Sequence, residues 1–128
     1  MSNYGFIKEI DASFEDATEL VTQELKKEGF GVLTTIDMHD KLNEKLGINF
    51  KKYRILGACN PPLAHQAVSA EENIGLLLPC NVIVYENGDK STVGVMKPSV
   101  AMSMVENDQL RPIAGQVEEK LKRVFDAI

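Results

Sequence analysis

A chain of 128 residues, 44% hydrophobic and 26% charged, is long enough for one domain that buries roughly 65–70% of its unfolded surface and too apolar to remain disordered. Its net charge of −5, with no basic run longer than Lys26-Lys27 or Lys51-Lys52, offers no cationic face for phosphates and speaks against a nucleic-acid partner. No apolar stretch nears the length of a membrane span, and no apolar h-region follows a charged start, so the expectation is a cytoplasmic protein without a membrane partner.

In chain order, Tyr4–Ile10 reads as a first strand by near-alternation. Ser13 then caps a helix, with Asp16 three residues on and Phe14, Ala17, Val21 and Leu25 forming one apolar stripe. Lys26 and Lys27 suit its negative end, and Gly29 stops it. Phe30–Ile36 alternates as a strand, with Phe30, Val32, Thr34 and Ile36 on one face and Gly31, Leu33 and Thr35 on the other. Asp37 starts a short helix through Leu46, closed by Gly47. Asp37, Asp40 and Glu44 read as its solvated face, with capping as the first job, and His39 reads as a surface residue. Tyr53–Cys59 is the next strand, and Gly57 inside it marks a close approach. Asn60 caps a helix opened by Pro61 and Pro62, and Gly75 turns the chain. Asn81–Tyr85 and Ser91–Met96 form a hairpin across Asn87-Gly88-Asp89. Pro98 opens a short helix, and Asn107 or Asp108 caps the last one, whose stripe is Ile113, Val117, Leu121, Val124 and Ile128. The order predicts a single α+β domain over residues 1–128, a two-layer sandwich of a mostly antiparallel sheet of about five strands with the long helices on one face.

The stretch Ile55–Val84 holds both cysteines, each followed by asparagine, as Cys59-Asn60 and Cys80-Asn81, with Pro61 after the first pair and Pro79 before the second. If the strands that carry them are antiparallel neighbours, both cysteines meet at one rim of the sheet, where directly opposite residues lie about 4.5–5.5 Å apart at Cα. Whether their faces coincide depends on the register. Cys59 precedes a helix N-terminus, which favours a thiolate, although two prolines remove donors there. With His65 in the second turn of that helix, Cys59 and Cys80 would supply three ligands for zinc or another soft or borderline metal. Asn60 reads first as a cap. Asn81, at the mouth of an apolar strand, reads as a buried amide in need of a partner, which a ligand could be.

The segments YRILGACNPPLAH (Tyr53–His65) and LLPCNV (Leu77–Val82), within a run from Gly29 to Ala67 and from Gly75 to Glu86, resemble the bacterial and archaeal "domain of unknown function 302" family. The resemblance implies a compact β-α-β4-α domain of TATA-binding-protein-like topology and a homodimer. The family motif falls on Cys59, Asn60, Pro61, His65, Cys80 and Asn81. It brings no catalytic set with it.

No phosphate loop, no Ser/His/Asp order and no zinc-protease or EF-hand pattern is present, so no enzyme is indicated. Three readings follow. The first is a small binding module that holds a soft metal or a thiol-reactive ligand through Cys59 and Cys80, with Asn60 and Asn81 beside them. The second is a structural or interaction homodimer whose cysteines fill the core. The third is a thiol enzyme in which Cys59 attacks and Cys80 resolves.

Overall fold

A computed structural model describes residues 3–128. Met1 and Ser2, which belong to the expected domain, lie outside the described residues. Five strands form one antiparallel sheet: β1 (Gly5–Ile10), β2 (Gly31–Asp37), β3 (Tyr53–Cys59), β4 (Cys80–Asn87) and β5 (Lys90–Met96), in the order β1-β5-β4-β3-β2. The first two strands thus occupy opposite edges, and α1 (Phe14–Lys27) carries the chain from one to the other. The fold is the expected α+β sandwich.

The Ser13 side chain accepts from the Asp16 backbone N–H at 3.1 Å and closes the start of α1. Glu15 and Asp16 sit at the positive end and Lys26 and Lys27 at the negative end. Phe14, Ala17, Val21 and Leu25 all face the sheet and are buried. Gly29, at φ 84°, takes the left-handed turn that brings the chain into β2. The last helix, α5 (Leu110–Ala127), lies beside α1 and buries Ile113, Val117, Leu121 and Val124, four residues of its predicted stripe. Neither Asn107 nor Asp108 caps it: Gln109 stands at its N-cap without a side-chain cap, and the Asn107 side-chain oxygen accepts from Gln109 N–H at 3.0 Å in the turn before it. Both helices meet Leu56, Ala58, Cys80, Val82, Val84, Val93 and Val95 of the sheet in one core.

A second, smaller core lies at the end of the sandwich. It gathers Ala67 of α3 (Pro61–Ala70), Ile74 of a 3₁₀ turn over Glu72–Leu77, Met102 after the short α4 (Pro98–Ala101), and the first turns of α5. Asn60 ties the two together. Its Oδ1 accepts from Leu63 N–H and caps α3, while its Nδ2 donates to the Glu28 carbonyl at the end of α1, both at 3.3 Å.

Two local expectations change. The alternation of β2 is broken by a bulge between Val32 and Thr34. Val32 pairs with Ala58 and Thr35 with Leu56, so these two share the helix-covered face, and Thr34 and Ile36 stand on the other. The second change concerns α2 (Met38–Leu46). Asp37 precedes it but makes no side-chain cap, because Arg54 takes its carboxylate through Nε at 2.6 Å and Nη2 at 3.4 Å. Charge-assisted pairing outcompetes a cap worth about 1 kcal/mol.

On the face away from the long helices, the register aligns one residue from every strand. Ile36 pairs with Ile55, Ile55 with Ile83, Ile83 with Gly94, and Gly94 with Ile7. A side chain at Gly94 would strike Ile83, its Cγ1 only 2.8 Å from the added carbon, so Ile83 already fills that gap in the row.

Candidate functional site

β3 and β4 are antiparallel neighbours, so the end of one meets the start of the other as expected. The register pairs Cys80 with Ala58 and Gly31 with Cys59, which sets the cysteines diagonal to one another, not directly opposite. Alternation gives Cys80 to the helix-covered face and Cys59 to the other face. Both are free thiols, Cys80 buried and Cys59 half-buried.

Both nevertheless line one cavity of about 340 Å³ at this rim. It opens where the two cores meet: Phe30, Ala58, Leu63 and Val117 belong to the main core, Ala67 and Met102 to the smaller one. Leu63, Ala64 and Ala67 of α3 and Ile113 and Val117 of α5 wall it beside the ends of the strands. No charged side chain lines it. Its polar lining residues are Thr34, Cys59, Asn60 and Cys80, and Asn60 has spent its amide on the α3 cap and the Glu28 carbonyl.

Of the residues singled out in the sequence, Cys59, Asn60 and Cys80 reach the cavity. Asn81 does not: it pairs with Gly57 and is exposed, so water satisfies its amide. His65 is exposed on α3 and is not among the lining residues, because Leu63 and Ala67 form the buried face of that helix. The donor set gathered at the rim is therefore two sulfurs. What sequence reasoning missed are the apolar walls from α5 and Met102, which lie far along the chain and carry no mark of a site.

Burial first, and the neighbouring Cys59 sulfur second, push the Cys80 thiol from its ordinary 9.0 up to about 11. Cys80 is thus held neutral. Below pH 9 the thiol is protonated in both states and costs nothing. Above it the unfolded chain gains by ionising while the folded one does not, so stability falls until about pH 11. The loss is on the order of 2–3 kcal/mol. Denaturation midpoints below pH 9 and near pH 11 measure it, and Cys80→Ala is expected to flatten the difference. Tyr53, raised by burial and then by Tyr85, adds a loss of the same sign in both proteins, so the comparison isolates Cys80. An unchanged slope in the variant would mean that Cys80 ionises freely in the fold.

Among the described residues, one trio of ligating side chains has its atoms within 4.8 Å of one another: Asp37, His39 and Asp40. It is a clamp. The Arg54 guanidinium, which also reaches Glu15 at 3.3 Å and Thr18 at 3.2 Å, holds the Asp37 carboxyl below its ordinary range. Such a guanidinium repels a metal cation. His39, expected at the surface, is 17% exposed. Its Nδ1 accepts from Tyr53 N–H at 3.0 Å and its ring stands edge-on to Phe14, which fastens α2 to β3.

The family model described as "Domain of unknown function DUF302" matches residues 6–128. A crystal structure of an uncharacterized conserved DUF302 protein from Bacillus stearothermophilus superposes with a TM-score of 0.90 at 29% identity, over 98% of this chain and 98% of that one. No match is found among curated proteins. Among the described residues, no helix is long and apolar enough to cross a membrane.

Proposed function

The chain belongs to the DUF302 family, whose function is unknown, and on that premise we propose that it is a small binding module whose rim cavity takes a small, uncharged, thiol-reactive ligand. The observation that carries this reading is the cavity of about 340 Å³ lined by both cysteines and by no charged residue. That volume lies at the lower end of the roughly 300–1,000 Å³ of ligand pockets. A charged ligand would lose its hydration there without gaining a partner, at a cost of several kcal/mol. The two cysteines divide the work: Cys59, half-buried, meets the ligand, and Cys80, held protonated, packs beside it. A soft metal would find two sulfurs and no third protein ligand at this rim, so an organic electrophile fits the lining better.

Native-state alkylation tests the reading. Iodoacetamide, neutral, is expected to label Cys59 at least about tenfold faster than anionic iodoacetate, relative to their rates on the unfolded chain. Ala64→Trp, which narrows the cavity from α3, is expected to slow both. Native mass spectrometry of protein purified without chelator should show any resident adduct or metal, and Cys59→Ser should lose it. If both cysteines react only after unfolding, they are core residues and the module reading fails.

A further inference from the structure

We propose that the ligand of the rim cavity is an α,β-unsaturated carbonyl compound with an apolar tail, oriented by Thr34 and captured by Cys59 through conjugate addition. This ligand class rests on the binding-module reading and narrows it, adding an orientation and a role for Thr34.

Three polar groups of the lining are idle. Asn60 has its amide engaged by Leu63 N–H and the Glu28 carbonyl, but Thr34, Cys59 and Cys80 make no hydrogen bond. Cys80 is only 6% exposed, so its thiol borders the cavity and has no water to turn to. The Thr34 hydroxyl leans over Gly57, where its Oγ1 would strike an added Cβ. Cys59 stands two residues further along β3 on the same face, about 7 Å along the strand. A carbonyl oxygen that accepts from Thr34 sets the β carbon of a conjugated O=C–C=C unit about 6 Å beyond the hydroxyl, a matching span.

Burial deepens in one direction from there. Thr34 is exposed, Cys59 half-buried, and Leu63 and Ala67 of the following helix are buried with Met102 and Ile113. The carbonyl therefore sits at the mouth and the tail inside. At the volume share of a liquid water molecule, about 30 Å³, the cavity of about 340 Å³ holds roughly ten non-hydrogen atoms. That is the conjugated unit and about six further carbons. In the step itself the Cys59 thiolate attacks the β carbon and a C–S bond forms. The C=C electron pair moves to the α carbon, and charge passes to the carbonyl oxygen, to which the Thr34 hydroxyl donates. The enolate takes a proton from water at the α carbon, matching the one the thiol gave to water. Nothing leaves, so no anion is released into a lining without charged residues. Cys80, held protonated, does not compete for the β carbon.

The probe is methyl heptenyl ketone, its double bond conjugated to the carbonyl. Mass spectrometry of the full native chain is expected to show one whole ligand added, with nothing lost, at Cys59. Relative to rates on the unfolded chain, it is expected to add at least about tenfold faster than methyl vinyl ketone, the same head without the tail. Thr34→Val, at an exposed position on an edge strand where valine suits the fold, removes the hydroxyl. It is expected to lower the enone rate about tenfold against that of methyl methanethiosulfonate, a neutral thiol reagent without a carbonyl. Thr34→Ser is expected to restore the ratio. If the thiosulfonate labels native Cys59 but the tailed enone has no advantage, the ligand class is overturned and the module reading stands. An unchanged ratio in Thr34→Val overturns it as well. A Cys59 closed to every reagent until the chain unfolds defeats the module reading, and this ligand with it.

Discussion

Replacing Leu121 with alanine is expected to destabilise the fold by about 2–5 kcal/mol. Leu121 is 0% exposed, in the middle of the α5 stripe and within the main core. The neighbours there are sheet valines and α1, which cannot close over a hole without moving a whole helix. Chemical denaturation measures the loss. The matched control is Leu76→Ala, the same substitution at an 89% exposed site, where the change is expected to stay within about 0.5 kcal/mol. Equal effects at the two positions would mean that α5 is not fastened to the sheet.

The second large effect is expected at Gly57. A methyl group there would lie 2.7 Å from Cγ of Pro79 and would also strike Oγ1 of Thr34. Threonine can turn away, since it stands beside the bulge of an edge strand. The proline ring is rigid and must be pushed bodily. Gly57→Ala is therefore expected to lose roughly 1–3 kcal/mol to overpacking. Thr34 and Pro79 also line the cavity, so the same substitution is expected to change the rate of Cys59 alkylation. Wild-type stability together with a wild-type labelling rate would show that Pro79 yields freely.

Much of this architecture is legible locally. The Ser13 cap and the stripe from Phe14 to Leu25, the strand Tyr53–Cys59, the Asn60 cap before two prolines, and the turn at Gly88 are each written in a few adjacent residues. Their causes act over a turn of helix or a pair of strands, so they need no knowledge of the rest of the chain. The gathering of both cysteines at one rim is also readable, because strand order and antiparallel direction place those ends together.

Other features depend on partners distant in sequence. Whether Asp37 caps α2 or pairs with Arg54 is a competition with a residue 17 positions away. His39 is drawn inward by Tyr53, 14 positions on. The bulge in β2 shifts Thr34 and Ile36 to the open face, and an alternating sequence gives no sign of it.

What the sequence by itself determined is the set of main elements, their polarity and the thiol-bearing end of the sheet, since capping, periodicity and turn chemistry are short-range. The tertiary structure alone decided the one-residue offset between the cysteines, the cavity closed by Ile113 and Val117 from the last helix, and the alignment of isoleucines into one row. Register and helix packing are collective: each is the outcome of many weak contacts satisfied together, and no single residue encodes it.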